Sequence, residues 1–598
     1  MVLLLLACTR CSSPEDSAEV RTREPCLSHE PNRQLLWGDT HVHSSLSFDA
    51  RAYEVLDGPE EAWAFARGEE VNGRRLARPL DFAAITDHAE YLAEIPACTD
   101  PDSPAYMVPT CVNYREGAHA QNVQLFGVKM SLTAPDRFED ICEAIDCEAE
   151  ARITWQRVQD AAEAAYDRSE QCSFTSFVAY EWSGTPLVAN MHRNVIFQNW
   201  KVPELPTTYF DESTAEGLWD ALRRDCSEAG TGCEVLAIPH NSNLSNGNQF
   251  LFHADAESAA MRSELEPLIE VYQHKGDSEC RNGLADILGE EAPLCDWEKV
   301  RDPAEDIDDC GPDGGGGGIT YAGCNSRRDF LRGILLEGLE VQDQLGENPF
   351  RLGVIAATDT HYAIPGMVDE AAWEGHLGIA EDEPEERLDD PELNPGGIID
   401  SPGGVAGVWA EENSRESIFA ALQRRETFGT SGPRIALRVF AGELPLDACE
   451  MEESELLELA YRDGVPMGGT LPSGAPARFV VWADADEQPL ERLQLIKGWT
   501  DGEGEHIEVV ELAGELVEDP DAATCEPASG GAERLCAVYE DEDFQGELSF
   551  WYARAVEVPS CRWSWHDCLA VDEQHEACED FEAHVQRERA WSSPVFSD

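Results

Sequence analysis

From Leu35 onward the chain alternates short apolar runs with longer segments of helical periodicity. LDFAAITDH around Ile85, CSFTSFVAYEW around Val178, VLAIPH around Ala237, EPLIEVYQH around Ile269 and LGVIAATDTH around Ile355 have the length and composition of buried strands. EEAWAFARG and TWQRVQDAAEAAYDR, lying between them, carry the three-and-four spacing of helices. This alternation predicts parallel β/α units, whose polar strand ends collect on one face of a sheet or barrel. Beyond Pro433 the pattern changes: RIALRVFAG, ARFVVWADA, LERLQLIKGW, HIEVVELAG and LSFWYARAVEV alternate between acidic, Gly and Pro turns. That predicts an antiparallel β-sandwich over 433–598, following an α/β domain over 31–432.

The segments outside these elements add constraints. DPAEDIDDCGPDGGGGG is too rich in glycine for an element, and its aspartates lack the spacing of an EF-hand loop. It reads as a solvated loop in a long insertion, tied by Cys310 and Cys324. Residues 1–30 read as a lipoprotein-type signal and a polar linker, because Leu6-Ala7-Cys8 ends a short apolar run and resembles a lipobox. No later run reaches the roughly 20 apolar residues that span a bilayer, so any membrane contact is by a lipid anchor. The expected location is an exported one: outer membrane, periplasm or cell surface. Many of the 20 cysteines crowd polar segments, as in Cys98 and Cys111, Cys142 and Cys147, Cys226 and Cys233, Cys525 and Cys536, and Cys561 and Cys568. None of these pairs has the Cys-x-x-Cys spacing, so disulfides in an oxidising compartment fit better than a zinc ribbon. The net charge of -75, from 43 basic and 118 acidic residues, excludes a nucleic-acid binder.

Candidate chemistry gathers at the strand ends. In WGDTHVHSSLSFDA, two histidines two residues apart share a face if the strand continues through them, a geometry that suits zinc or manganese, with Asp39 behind to orient an imidazole. Each later run also ends in a metal-type side chain: Asp87 and His88, Glu181, His192, His240, then Asp359 and His361. Glu270, His274, Lys275 and Arg193 are further polar groups, of which Arg193 and Lys275 are expected to bind an anionic substrate.

The order of these motifs resembles the polymerase and histidinol phosphatase (PHP) superfamily. The longer phrases WGDTHVHSSLSFDA, ITDHAEY, YEWSG, HRNVIF, IPHNSNLSNG, EVYQHKGDSEC, AATDTHYAIPG and TFGTSGPRI are similar to the DUF3604 family within or beside it, over most of the chain from Leu35. The resemblance implies a distorted (β/α)7 barrel with insertions, ahead of the C-terminal sandwich, and two or three divalent metal ions. By motif, His41, His43, Glu181 and Asp359 would hold the first, and Glu181 would bridge to a second held by His192 and His240. Asp49, His88 and His361 would hold the third. Nitrogen and oxygen donors without thiolate suit zinc, manganese or iron. The implied activity is hydrolysis of a small phosphate ester by a hydroxide held between metals. Hydrolysis of another ester or amide stays open, as does a non-catalytic surface protein stabilised by its metals.

Overall fold

The computed structural model describes residues 23–598 apart from 253–254, 285–291, 293, 302–309, 390–395, 503 and 572–574. In chain order its strands begin with β1 (Gln34–Asp39), β2 (Phe82–Ala84), β3 (Thr175–Trp182), β4 (Arg193–Phe197), β5 (Val235–Pro239), β6 (Leu268–Gln273), β7 (Gly276–Asp277), β8 (Gly353–Ala356), β9 (Val405–Ala410) and β10 (Thr427–Thr430). One side chain of every second residue along these strands enters a common core: Leu36, Phe82, Phe177 and Ala179, Ile196, Leu236 and Ile238, Leu268, Ile355, and Ala406 and Val408. Ile418, Phe419 and Leu422 of the helix Arg415–Gln423 join it. The opposite faces of β3 to β5 pack on helices, chief among them Cys147–Ala165, where Ala151, Trp155, Val158, Ala162 and Ala165 form the buried stripe. Asp146 starts that helix by accepting the Ala149 amide at 3.2 Å.

Among the described residues no sheet closes into a barrel, which corrects the expected (β/α)7 architecture. β1, β2 and β3 are parallel, but β4 runs antiparallel to both β3 and β5. β6, β7 and β8 form a sheet of their own. At one end β9 pairs antiparallel with β1 from Gln34↔Ala410 to Gly38↔Ala406 and occupies the edge that β8 would need; at the other, the sheet ends at β5, and β6 pairs with β7 and β8 instead. Beyond β8, the chain meets the β1 side through the Val42↔Thr360 bridge and through Thr358, whose amide and hydroxyl donate to Asp39.

The separate C-terminal sandwich is corrected too. The later strands are β11 (Ala436–Gly442), β12 (Gly464–Pro466), β13 (Thr470–Leu471), β14 (Arg478–Asp484), β15 (Leu490–Asp501), β16 (Gly504–Gly514), β17 (Arg534–Glu540), β18 (Ser549–Glu557), β19 (Ser560–Cys561), β20 (Val585–Gln586), β21 (Arg589–Ser592) and β22 (Val595–Ser597). β10 pairs with β21, which pairs with β18, so β13, β15, β16, β18, β21 and β22 extend the large mixed sheet that contains β1 to β5. A four-stranded sheet, β12-β11-β14-β17, packs on this extension through Leu437, Val439, Phe479, Val481, Leu495 and Trp551. The result is an α/β domain with a large mixed sheet, plus smaller sheets.

Residues 23–30, read as linker, are fastened by the Cys26–Cys172 disulfide and by hydrogen bonds from Glu24 and Leu27 to the Arg168 and Glu170 carbonyls. Among the described residues no helix is long and apolar enough to cross a membrane; the lipobox-like segment lies outside them. Cys98–Cys111, Cys142–Cys147, Cys226–Cys233 and Cys310–Cys324 form as their spacing suggests, and Cys280 pairs with Cys295. The pairs Cys525 with Cys536 and Cys561 with Cys568 do not form. Cys536 sits on the face of β17 turned toward the helix Glu453–Asp463 and bonds to Cys449, while Cys525 bonds to Cys561 and Cys568 to Cys578.

All 18 cysteines in these nine bridges are therefore oxidised, leaving Cys8 and Cys11 outside the described residues. Thiol titration of the denatured, unreduced protein is expected to find two free groups at most; a larger number contradicts this pairing. Breaking Cys449–Cys536 with Ser at both positions should cost about 4 kcal/mol, read from denaturant unfolding, because the bridge closes a long loop in the unfolded chain.

Candidate metal centre

Strand parity delivers the side chains. Glu181 continues the inward series of Phe177 and Ala179 at the end of β3, and His240 continues that of Leu236 and Ile238 just past β5. His192 precedes β4, in the inward series of Asn194 and Ile196. Because β4 is antiparallel, its start lies at the same end as the ends of its neighbours, with Arg193 opposite both Trp182 and Pro239. Reversing one strand thus keeps His192 beside Glu181. β1 stops at Asp39, and His41 and His43 flank the bridge residue Val42 rather than extending the strand. Asp359 and His361 follow β8, with Asp359 held at a φ of 54°, a left-handed conformation that costs free energy outside glycine and recurs at functional sites.

The donor atoms converge. His41 Nε2 and His43 Nε2 are 3.3 Å apart; each is 3.0 to 3.1 Å from Asp359 Oδ1 and 3.2 to 3.3 Å from Glu181 Oε2. Four donors bound tetrahedrally at zinc distances stand about 3.3 Å apart, so this set already has the spacing of a metal shell. The other Glu181 oxygen, Oε1, faces His192 Nδ1 at 2.5 Å, His88 Nδ1 at 3.4 Å and His240 Nε2 at 3.5 Å. Asp49 Oδ2 lies 3.0 Å from His88 Nε2 and 3.1 Å from His361 Nε2. His43, Asp49, His88 and His361; His41, His43 and Asp359; and Glu181, His192 and His240 can each hold a metal ion.

The surroundings fix the rings for that purpose. The Ser47 hydroxyl donates to Asp87 Oδ1 at 2.9 Å, so it accepts from His43 Nδ1 at 2.8 Å and leaves Nε2 as the free donor. Asp87 thus supports His43 through Ser47, while its own oxygens also receive the Ser44 amide and hydroxyl at 2.7 Å. His361 Nδ1 donates to the Asp359 carbonyl at 2.8 Å. Both oxygens of Glu270 lie 3.1 Å from His41 Nδ1. Asp39, expected to orient an imidazole, instead receives the amides of His41, Thr358 and Gly366 and the Thr358 hydroxyl, so it shapes the backbone beneath the histidines. Glu270 has the role proposed for Asp39.

Charges in the centre are strongly coupled. Burial opposes ionisation of Glu181, but the imidazoles of His88, His192 and His240 outweigh it and hold the carboxyl well below its usual range. Burial likewise opposes ionisation of Asp359 and Asp49, but His41 and Lys275 beside Asp359, and His88 and His361 beside Asp49, hold both carboxyls well below their usual range. Burial and the nearby His41 push His240 down to about 3, and burial pulls His361 down to about 4, so both rings are neutral and able to ligate near neutral pH. Glu181 Oε1, Asp359 Oδ1 and both His240 ring nitrogens are buried without a hydrogen bond. Orphaned acceptors of this kind, in a set of nitrogen and oxygen donors, fit divalent metals.

Lys275 reaches the centre: its ammonium contacts Asp359 Oδ2 and lies 2.7 Å from His274 Nε2, and His274 Nδ1 is 2.7 Å from Asp400 Oδ2. Arg193 does not. Its side chain has the opposite parity to His192, is fully buried, and pairs with Glu266 at 2.6 Å and with the Met191 carbonyl. Its expected contact with substrate is corrected to a structural ion pair. Asn241, not singled out from the sequence, follows His240 at a φ of 53° and keeps its buried Oδ1 without a partner on the wall of the cavity. An asparagine directly after a strand end, where a left-handed turn is tolerated, was the available signal.

The chain belongs to the DUF3604 family, described as "Protein of unknown function (DUF3604)", which matches residues 30–598. Comparison with curated proteins finds no match. Among solved structures, a two-domain protein of Bacteroides vulgatus, described as containing a predicted PHP-like metal-dependent phosphoesterase, is similar at 12% identity over 89% of this chain and 94% of that one. Its TM-score of 0.28 is too low to carry an argument about this chain.

Protein purified without chelator is expected to carry two or three transition metals per chain by elemental analysis; one or fewer contradicts the clusters described. Glu270→Gln removes the charge that orients His41 but no proposed ligand atom, and should weaken metal binding by roughly 10 to 100-fold with the fold retained. Unchanged affinity by competition with a chromogenic chelator would contradict that role.

Proposed function

We propose that this chain is an exported, metal-dependent hydrolase of small phosphate esters. The observation that carries the reading is the division of Glu181, whose oxygens face two separate ligand clusters. On this reading His41, His43, Asp359 and Glu181 hold one divalent metal, His192, His240 and Glu181 a second, and Asp49, His88 and His361 a third. Zinc, manganese and iron all suit the donors. Such metals supply Lewis acidity and an activated water at neutral pH.

The protein's own groups do the rest. Glu181 sets the separation of the two clusters, and Ser47, Asp87 and Glu270 fix the imidazoles so that no reorganisation accompanies the reaction. Lys275, on the wall of the cavity, directs its ammonium at the edge of the centre, where it offers a charge-assisted hydrogen bond to a substrate oxygen. The bridges of the described residues support an oxidising location, and anchoring through Cys8 belongs to the same proposal.

Metal-loaded protein should be assayed against phosphomonoesters, phosphodiesters, phosphotriesters and carboxyl esters. Turnover of a phosphate ester is expected, and activity confined to carboxyl esters or absent from every class contradicts the reading. Glu181→Gln should lower kcat by roughly 100-fold or more, since both clusters lose one shared charge. Lys275→Ala should keep its metals and raise KM more than it lowers kcat.

A further inference from the structure

The centre lies at the floor of a cavity of about 330 Å³, within the size of small-molecule sites. Its walls change character above the ligands. Phe48, Val123, Val128, Met130, Val188 and Ile319 line it, and Lys275 is the only lysine or arginine among the described lining residues. The apolar wall is continuous with the centre, because the Phe48 ring centroid lies 5.1 Å from that of His88 and 6.0 Å from that of Phe126.

Three insertions build this wall, and hydrogen bonds join them edge to edge. The Leu187 amide donates to the Ser131 carbonyl, just after the helix His119–Met130, and the Gly317 amide donates to the Leu187 carbonyl. Leu187 and Val188 both have positive φ, 57° and 64°, a conformation that a β-branched residue adopts only when its surroundings impose it. Here it places Val188 on the cavity. The glycine-rich segment, read from the sequence as a solvated loop, is the third side. A Cβ on Gly318 would stand 1.9 Å from the Leu244 carbonyl oxygen, and one on Gly316 2.7 Å from that of Leu187. The glycines are there for close approach. Together with the Cys310–Cys324 bridge, they bring Ile319 to the cavity.

We propose that the substrate carries an apolar group, of the size of a phenyl ring or a branched alkyl chain, beside its scissile ester, and that Val123, Val188 and Ile319 select for it. This deepens the phosphate-ester reading and rests on it. Polyphosphates are poor matches, since they need several further cations and Lys275 is the only lysine or arginine among the described lining residues; Gln124, Ser131, Thr185, Asn190, Asn241 and Thr320 leave hydrogen-bonding capacity beside the apolar groups.

Binding of phenylphosphonate and methylphosphonate to the metal-loaded protein, measured by calorimetry, tests this without turnover. Phenylphosphonate is expected to bind roughly tenfold tighter or better, as burial of a ring predicts. In Ile319→Asn, and more so in Val123→Asn combined with it, the ratio should fall toward one through weaker phenylphosphonate binding. Equal affinities in the parent, or an undiminished ratio in variants that retain their metals, would overturn the proposal. If neither phosphonate binds, the phosphate-ester reading fails separately. Phenylacetate and acetate then put the same question to the wall: a preference for phenylacetate supports it, and no preference overturns it.

Discussion

The rest of the site depends on one buried carboxylate. Glu181 stands inside a core of strands with its two oxygens directed at different sets of imidazoles, and a charge so placed is tolerable only if cations surround it. Without compensation its burial would favour the protonated form; the histidines reverse that preference. Divalent ions would do so more strongly. The same reasoning covers Asp359 and Asp49, and it accounts for why so many histidines share a small volume in a protein that has only 15 of them.

Holding such a cluster together demands rigidity from elements distant in sequence. The hairpin that follows β6 carries His274 and Lys275 and continues to Glu279, which accepts hydrogen bonds from Arg332, Tyr552, Arg554 and Trp591. Tyr552 and Arg554 lie on β18 and Trp591 on β21, so the C-terminal strands anchor one wall of the centre. This is why an open sheet suffices. β9 and the helix Arg415–Gln423 fill the place where a closing strand and its hydrogen bonds would stand, and the extended sheet supplies the support.

The side chains that converge were legible in the sequence because donor-type groups at strand ends leave short signatures, such as Asp-His, Pro-His and Asp-x-His, that survive insertion between them. Direction was not legible. Nothing in HRNVIF distinguishes an antiparallel strand that begins after its histidine from a parallel one that ends elsewhere, and the neighbouring Arg193 looked available when its parity turns it to Glu266. Nothing in VAGVWA shows that it runs antiparallel beside β1 and takes the edge that a closing strand would need. Glu270 stood out as a polar group, but its role did not, because a carboxylate within an apolar strand carries no mark of the imidazole it will meet. The glycine-rich loop is tied by Cys310–Cys324 as its sequence suggested, but its contact with the Leu187 turn left no mark in the composition.

The central claim, that Glu181 bridges two metals, is tested most directly by diffraction from metal-loaded crystals with data collected on either side of the metal absorption edge. The account predicts two anomalous peaks, one by each Glu181 oxygen and about 3.5 to 4 Å apart, the first among His41, His43 and Asp359 and the second between His192 and His240. A single peak, or two peaks with Glu181 bound to only one of them, would contradict it.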